Sequence, residues 1–226
     1  MKHKNLKSLF AVAAVFVLVS TLGASALGDQ DAADARPVKA SAQVYQDQWR
    51  LIWEDHVTWT RIVIIGILDG LNNSAVENYT ERLLENAGDM GALLSPFYGK
   101  EAGTEFTNLI TTHLVEAAGI LVTLKNGGDP TAQLTAWYQN GHDIAVFMNK
   151  LNPGNWKLAE TGAMWKEHLD ATVNESLANL GHDWNAEVMA YNKIVSLAMH
   201  MADFISVGVI KQMPQRFDGV SLAFAQ

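Results

Sequence analysis

The chain has 226 residues, with 16 Lys and Arg against 24 Asp and Glu, a formal net charge of −8, and no cysteine. Its negative balance argues against non-specific association with nucleic acid or anionic lipid. Without cysteine, disulfides, thiolate metal sites, iron–sulfur clusters and covalent c-type haem attachment are excluded, and the fold rests on its core alone.

The N-terminus opens with Lys2, Lys4 and Lys7, continues with an apolar run over 8–22, and reaches the small residues Ala24, Ser25 and Ala26. This pattern predicts a secretory signal peptide over residues 1–26. An uncleaved anchor is the alternative, because the run would just span a bilayer. Cleavage removes three lysines and no acid, leaving 13 basic against 24 acidic residues and a net charge of −11. The expectation is a secreted or periplasmic protein, without stable membrane insertion after cleavage and without nucleic acid as a partner. Neither a protein partner nor an oligomeric state can be read from these features. Residues 27–44, rich in Ala, Asp and Gln with one Pro37, read as a flexible leader.

A helical domain is predicted over 45–214. Helix one spans about 45–71, apolar on every side in its second half, as suits the middle of a bundle. Asn72-Asn73-Ser74 stops it, with Ser74 as a cap for the next helix. A second helix over 75–87 ends at Gly88. A short turn over 90–94 then leads to a loop, Ser95-Pro96-Phe97-Tyr98-Gly99, whose aromatics cover one end of the bundle.

Helix three, about 101–125, follows the helical period through Phe106, Leu109 or Ile110, His113, Ala117, Ile120 and Leu124. Asn126-Gly127-Gly128 ends it, and Asp129-Pro130 starts helix four, about 130–151. Asn152-Pro153-Gly154-Asn155 separates it from helix five, about 158–180. Helix six spans about 184–212, and the tail, 215–226, reads as loose, with an extended strap as the alternative. No segment alternates at period two, so the fold class is all-α: an antiparallel helical bundle, four long core helices (one, three, five and six) plus two packed alongside.

Six histidines follow the signal segment: His56, His113, His142, His168, His182 and His200. Four lie one each on the four long helices, and His56, His113 and His168 fall on or beside the apolar stripes. Imidazole is a common ligand for zinc, copper, iron and haem. Glu116 stands three residues after His113, and Asp203 three after His200, so each acid shares a face with its histidine. The candidate metal set is therefore His56, His113, Glu116, His168, His200 and Asp203, with a transition metal ion (copper, zinc or iron) as the cofactor. The acids serve as ligands or as partners that fix the ring tautomer. Under the alternative reading the histidines are hydrogen-bonded core residues of a non-catalytic structural or interaction module. Arg61, at the edge of the apolar half of helix one, is expected to pair with a carboxylate of another helix, Glu116 or Asp203, which would compete with a metal.

Ferritin-like bundles carry Glu-x-x-His on two helices; here the order is reversed, His-x-x-Glu and His-x-x-Asp, which favours a His-rich copper, zinc or mononuclear iron site. Phosphate loops, a nucleophile elbow, His-Glu-x-x-His and an EF-hand loop are all missing. Binding, storage or delivery is favoured over turnover, and no catalytic residue is assigned.

Trp53-x-x-His56-Val-x-Trp59-Thr-Arg61, Pro96-Phe-Tyr-Gly99, His113-Leu114, Asn152-Pro153, His168-Leu169 and Met201-Ala-Asp203 with Ile210-Lys-Gln-x-Pro214 together resemble a group of uncharacterised bacterial and archaeal helical proteins, over roughly residues 45–217. The resemblance implies an all-helical domain and no established activity.

Overall fold

A computed structural model describes residues 40–218. The signal segment, most of the leader and the end of the tail lie outside the described residues. Six helices make up the described part: α1 (Ala42–Leu68), α2 (Asn73–Tyr98), α3 (Lys100–Lys125), α4 (Thr131–Leu151), α5 (Leu158–Leu180) and α6 (Trp184–Gln212). The domain is all-α. Connections of one to six residues turn each helix back along the one before it.

Each helix packs on its chain neighbours, and α6 returns to α1, which closes a ring. Inside the ring α1, α3 and α5 also touch one another, so these three helices line the bundle axis. α6 contributes a buried face of Ala198, Met201, Ala202, Ile205 and Val209. The core is built on large rings, with Trp49, Trp53, Trp156, Trp165 and Phe106 fully enclosed. α3 and α6 are long and apolar enough to cross a membrane by length and composition, a property shared by core helices of soluble bundles.

Local chemistry explains most boundaries. Ser41 caps α1 by accepting from the Val44 amide, Asn72 caps α2, and Asp183 caps α6. The cap of α2 is thus Asn72 and not Ser74, which lies inside the helix. The larger departure from expectation is that α2 runs unbroken to Tyr98, through Gly88, Ser95 and Pro96. Its buried stripe of Leu83, Ala87, Met90 and Leu94 continues past Gly88, and that packing outweighs the propensity cost of glycine, about 1 kcal/mol. Pro96 falls in the last turn, and Gly99 at φ 91° makes the sharp reversal into α3.

One end of the bundle is closed by rings. Tyr45 meets Phe97 at 4.8 Å between centroids, and Phe97 stacks on Phe217 at 5.0 Å. Two short strands, β1 (Ala40–Ser41) and β2 (Phe217–Asp218), pair in parallel beside them. The described start of the tail, up to residue 218, is therefore held, with Phe217 buried; the rest of the tail lies outside the described residues. Likewise the last leader residues, from Ala42 on, already belong to α1.

Candidate metal centre at the bundle axis

Each of the three inner helices places one histidine near its mid-length: His56 on α1, His113 on α3 and His168 on α5. Because these helices run the same way, similar positions along them lie at similar heights. The rings meet accordingly. His168 stands 6.0 Å from His56 and 6.4 Å from His113, centroid to centroid. All three side chains are at most 3% exposed.

Indoles enclose the cluster. Trp53 lies 5.2 Å from His56 and 5.8 Å from His168, and Trp165 lies 5.7 Å from His113. Trp137 of α4 stacks on His113 at 5.0 Å and donates its N–H to the His113 carbonyl. The indole nitrogens of Trp53 and Trp165 are buried without a hydrogen-bond partner, and so is Nδ1 of His168.

Two of the histidines are held by the same device. Asn86 of α2 donates its Nδ2 to the carbonyl of Ile52, four residues before His56, and so turns its Oδ1 toward the ring. Asn140 of α4 does the same with the carbonyl of Leu109, four residues before His113. A carbonyl-type oxygen can only accept, so each Nδ1 carries the proton and donates it, at 3.1 Å for His56 and 3.2 Å for His113. Nε2 of both rings is thereby left deprotonated. His168 has no such clamp.

Burial keeps the rings neutral. It lowers the His56 pKa to about 4 and the His113 pKa to about 3, and His56 and the Asn140 hydrogen bond adjust the latter in opposite directions. His168 is pushed well below the ordinary value, first by burial and then by His56 and His113. Neutral imidazole is the form that binds metal.

The remaining members of the sequence-derived set lie elsewhere. His200 is exposed on α6. Asp203 pairs with Arg50 at 2.7 Å, both partly exposed. Glu116 is half-buried and faces Asp143; burial first, then that neighbouring acid, raises its pKa. The expected partners of Arg61 also need correction. Its guanidinium bridges Glu175 at 2.7 Å and Glu187 at 2.9 Å, and lies over the Tyr191 ring. Glu175 is 1% exposed, and burial drives its pKa up to about 7 against the opposing pull of Arg61. The competition between Arg61 and a cation for Glu116 or Asp203 therefore does not arise.

Among the described residues, no group of three or more His, Asp or Glu side chains stands ready-arranged to hold a metal ion. A ring nitrogen about 2.0–2.1 Å from zinc puts two ligand ring centres roughly 5–6 Å apart, depending on the angle between them. The observed 6.0 and 6.4 Å lie at and just beyond the wide edge of that range.

Sequence reasoning missed Asn86 and Asn140. The signal available was a polar residue inside an apolar stripe, Asn86 beside Ala87 and Asn140 beside Gly141, which demands a buried partner. No protein-family model, no curated protein and no solved structure matches the chain.

Proposed function

We propose that the protein binds one late first-row transition-metal ion, Zn²⁺ or Cu²⁺, through Nε2 of His56 and His113 and a ring nitrogen of His168, in an exported bundle that carries or holds the ion. The observation that supports this most is the meeting of three neutral imidazoles at the axis, two of them with Nδ1 committed to an asparagine. A hydrogen bond from the far ring nitrogen is what fixes the tautomer of a metal-ligating histidine. Closing the site requires the His168 ring to draw nearer to His56 and His113, a movement open to side chains that tilt about χ1 and χ2. Three nitrogen ligands leave a fourth position open for water or another small donor. His200, Glu116 and Asp203 take no part.

The test is metal analysis and calorimetry on purified protein with Zn²⁺ and Cu²⁺. One ion per chain is expected, with binding lost in His113→Ala and in His168→Ala and kept in His200→Ala. Absence of stoichiometric binding, or binding unchanged in His113→Ala, would overturn the proposal.

The asparagine clamps also favour a second reading, in which the histidines only satisfy hydrogen bonds within the core of a structural or interaction module. The two readings part at His168, whose Nδ1 has no partner to satisfy. Under the second reading replacing it with a residue of like volume, His168→Leu, leaves stability equal or higher and there is no metal affinity to lose.

A further inference from the structure

One helical turn beyond the histidines, toward the C-terminal ends of the inner helices, Thr60, Ala117 and Thr172 occupy the positions four residues after His56, His113 and His168. They border a cavity of about 310 Å³ between α1, α3, α4 and α5. Trp137, stacked on His113, is one of the residues that line the cavity. Ile64, Ile120, Leu124, Leu134 and Leu177 form its walls, and no charged side chain lines it.

The polar groups at the cavity are three hydroxyls, and two are already used. Thr172 donates to the carbonyl of His168 and Ser176 to that of Thr172, the usual return of a helical hydroxyl to its own backbone. Thr60 makes no such bond: its Oγ1 is buried without a partner. An apolar cavity with one free hydroxyl is chemically specific. It rejects ions, which would lose their hydration with no compensating charge. It favours an apolar body carrying one hydrogen-bonding group.

We infer that this cavity is a binding site for a small, neutral, mainly apolar molecule with a single hydroxyl or carbonyl head, which hydrogen-bonds to Thr60. An apolar cavity of about 150 Å³ is enough for benzene. The space here is about twice that and suits a medium-chain alcohol or a bicyclic ring. Binding in this cavity does not depend on a metal, because the walls and Thr60 are in place without one.

Titration of 1-octanol into protein kept metal-free with chelator tests the inference, read by intrinsic tryptophan fluorescence and by calorimetry. Saturable one-to-one binding is expected. Ala117→Phe, which fills the cavity, should abolish it, and Leu124→Phe serves as a second filling variant should the first fail to fold. Thr60→Val keeps the shape and removes the hydroxyl, so affinity should fall about tenfold, a loss typical of one buried hydrogen bond. No binding to the folded wild type, or undiminished binding in a folded filling variant, overturns the site. Unchanged affinity in Thr60→Val overturns the role given to the hydroxyl. Since no metal is present, a negative result here is separate from a negative result in the metal titrations.

Discussion

The buried histidines make stability depend on pH with a definite sign. His56 and His113 titrate near 4 and 3 in the folded state, against about 6.5 in an unfolded chain. Between those values the unfolded chain binds more protons, so stability is complete above about pH 6.5 and falls as pH drops. From pH 7 to pH 5 each of these two rings removes about 2 kcal/mol, and His168 acts in the same direction. Glu175 opposes them. Its pKa is raised to about 7, so the folded state holds its proton more tightly, and its contribution shrinks as pH rises from about 4.5 to 7. Three imidazoles outweigh one carboxyl, and the net expectation is a protein about 1–4 kcal/mol more stable at pH 7 than at pH 5. Urea unfolding at the two pH values measures this. In Glu175→Gln the pH dependence should steepen, because the opposing group is gone. Equal midpoints at pH 5 and pH 7 in the wild type would contradict the assignment of neutral, buried rings.

Glycines show how packing decides what a helix tolerates. A Cβ built at Gly91 would collide with the Thr107 hydroxyl and the Gly103 carbonyl, whereas at Gly88 nothing lies within 4 Å. Both positions are mid-helix in α2, so propensity alone predicts the same gain from alanine at each. The structure predicts opposite signs. Gly88→Ala should stabilise by about 0.5–1 kcal/mol, and Gly91→Ala should destabilise by about 1–3 kcal/mol through overpacking of the α2–α3 contact. Thermal or denaturant midpoints of the two variants decide it, and a destabilised Gly88→Ala would show that this turn is not open helix. The same contrast explains where the sequence was legible. α5 and α6 were readable to the residue, because Gly181 and Asp183, and Pro214, are punctuation whose effect is local. α2 was cut short because Gly88 and Pro96 carry the same letters as true breaks, and only the continuing stripe of Ala87, Met90 and Leu94 against α3 overrides them.

The site is a property of the whole bundle. Helical period alone put His56, His113 and His168 on inward faces, which was legible. That α1, α3 and α5, and not α6, share the axis was not, because it depends on how the ring closes between α6 and α1; His200 sits on an outer face for that reason. Arg61 was readable as needing a buried acid, but which acid depends on the heights of α5 and α6 beside it. A metal held by one residue from each inner helix would tie all three helical hairpins together at mid-height, so its binding free energy would stabilise the fold as a unit. At a free metal concentration 100 times Kd the gain is about 2.7 kcal/mol. For a domain of this length that corresponds to a Tm increase of roughly 5–10 °C. Scanning calorimetry with Zn²⁺, and again after chelation, should show one transition that moves up and returns. Asn86→Ala, which frees the His56 ring but removes no ligand, should keep a smaller shift, and His113→Ala should show none. A wild-type Tm indifferent to the ion, or an equal shift in His113→Ala, would mean that the metal adheres elsewhere and that the three rings serve the core alone.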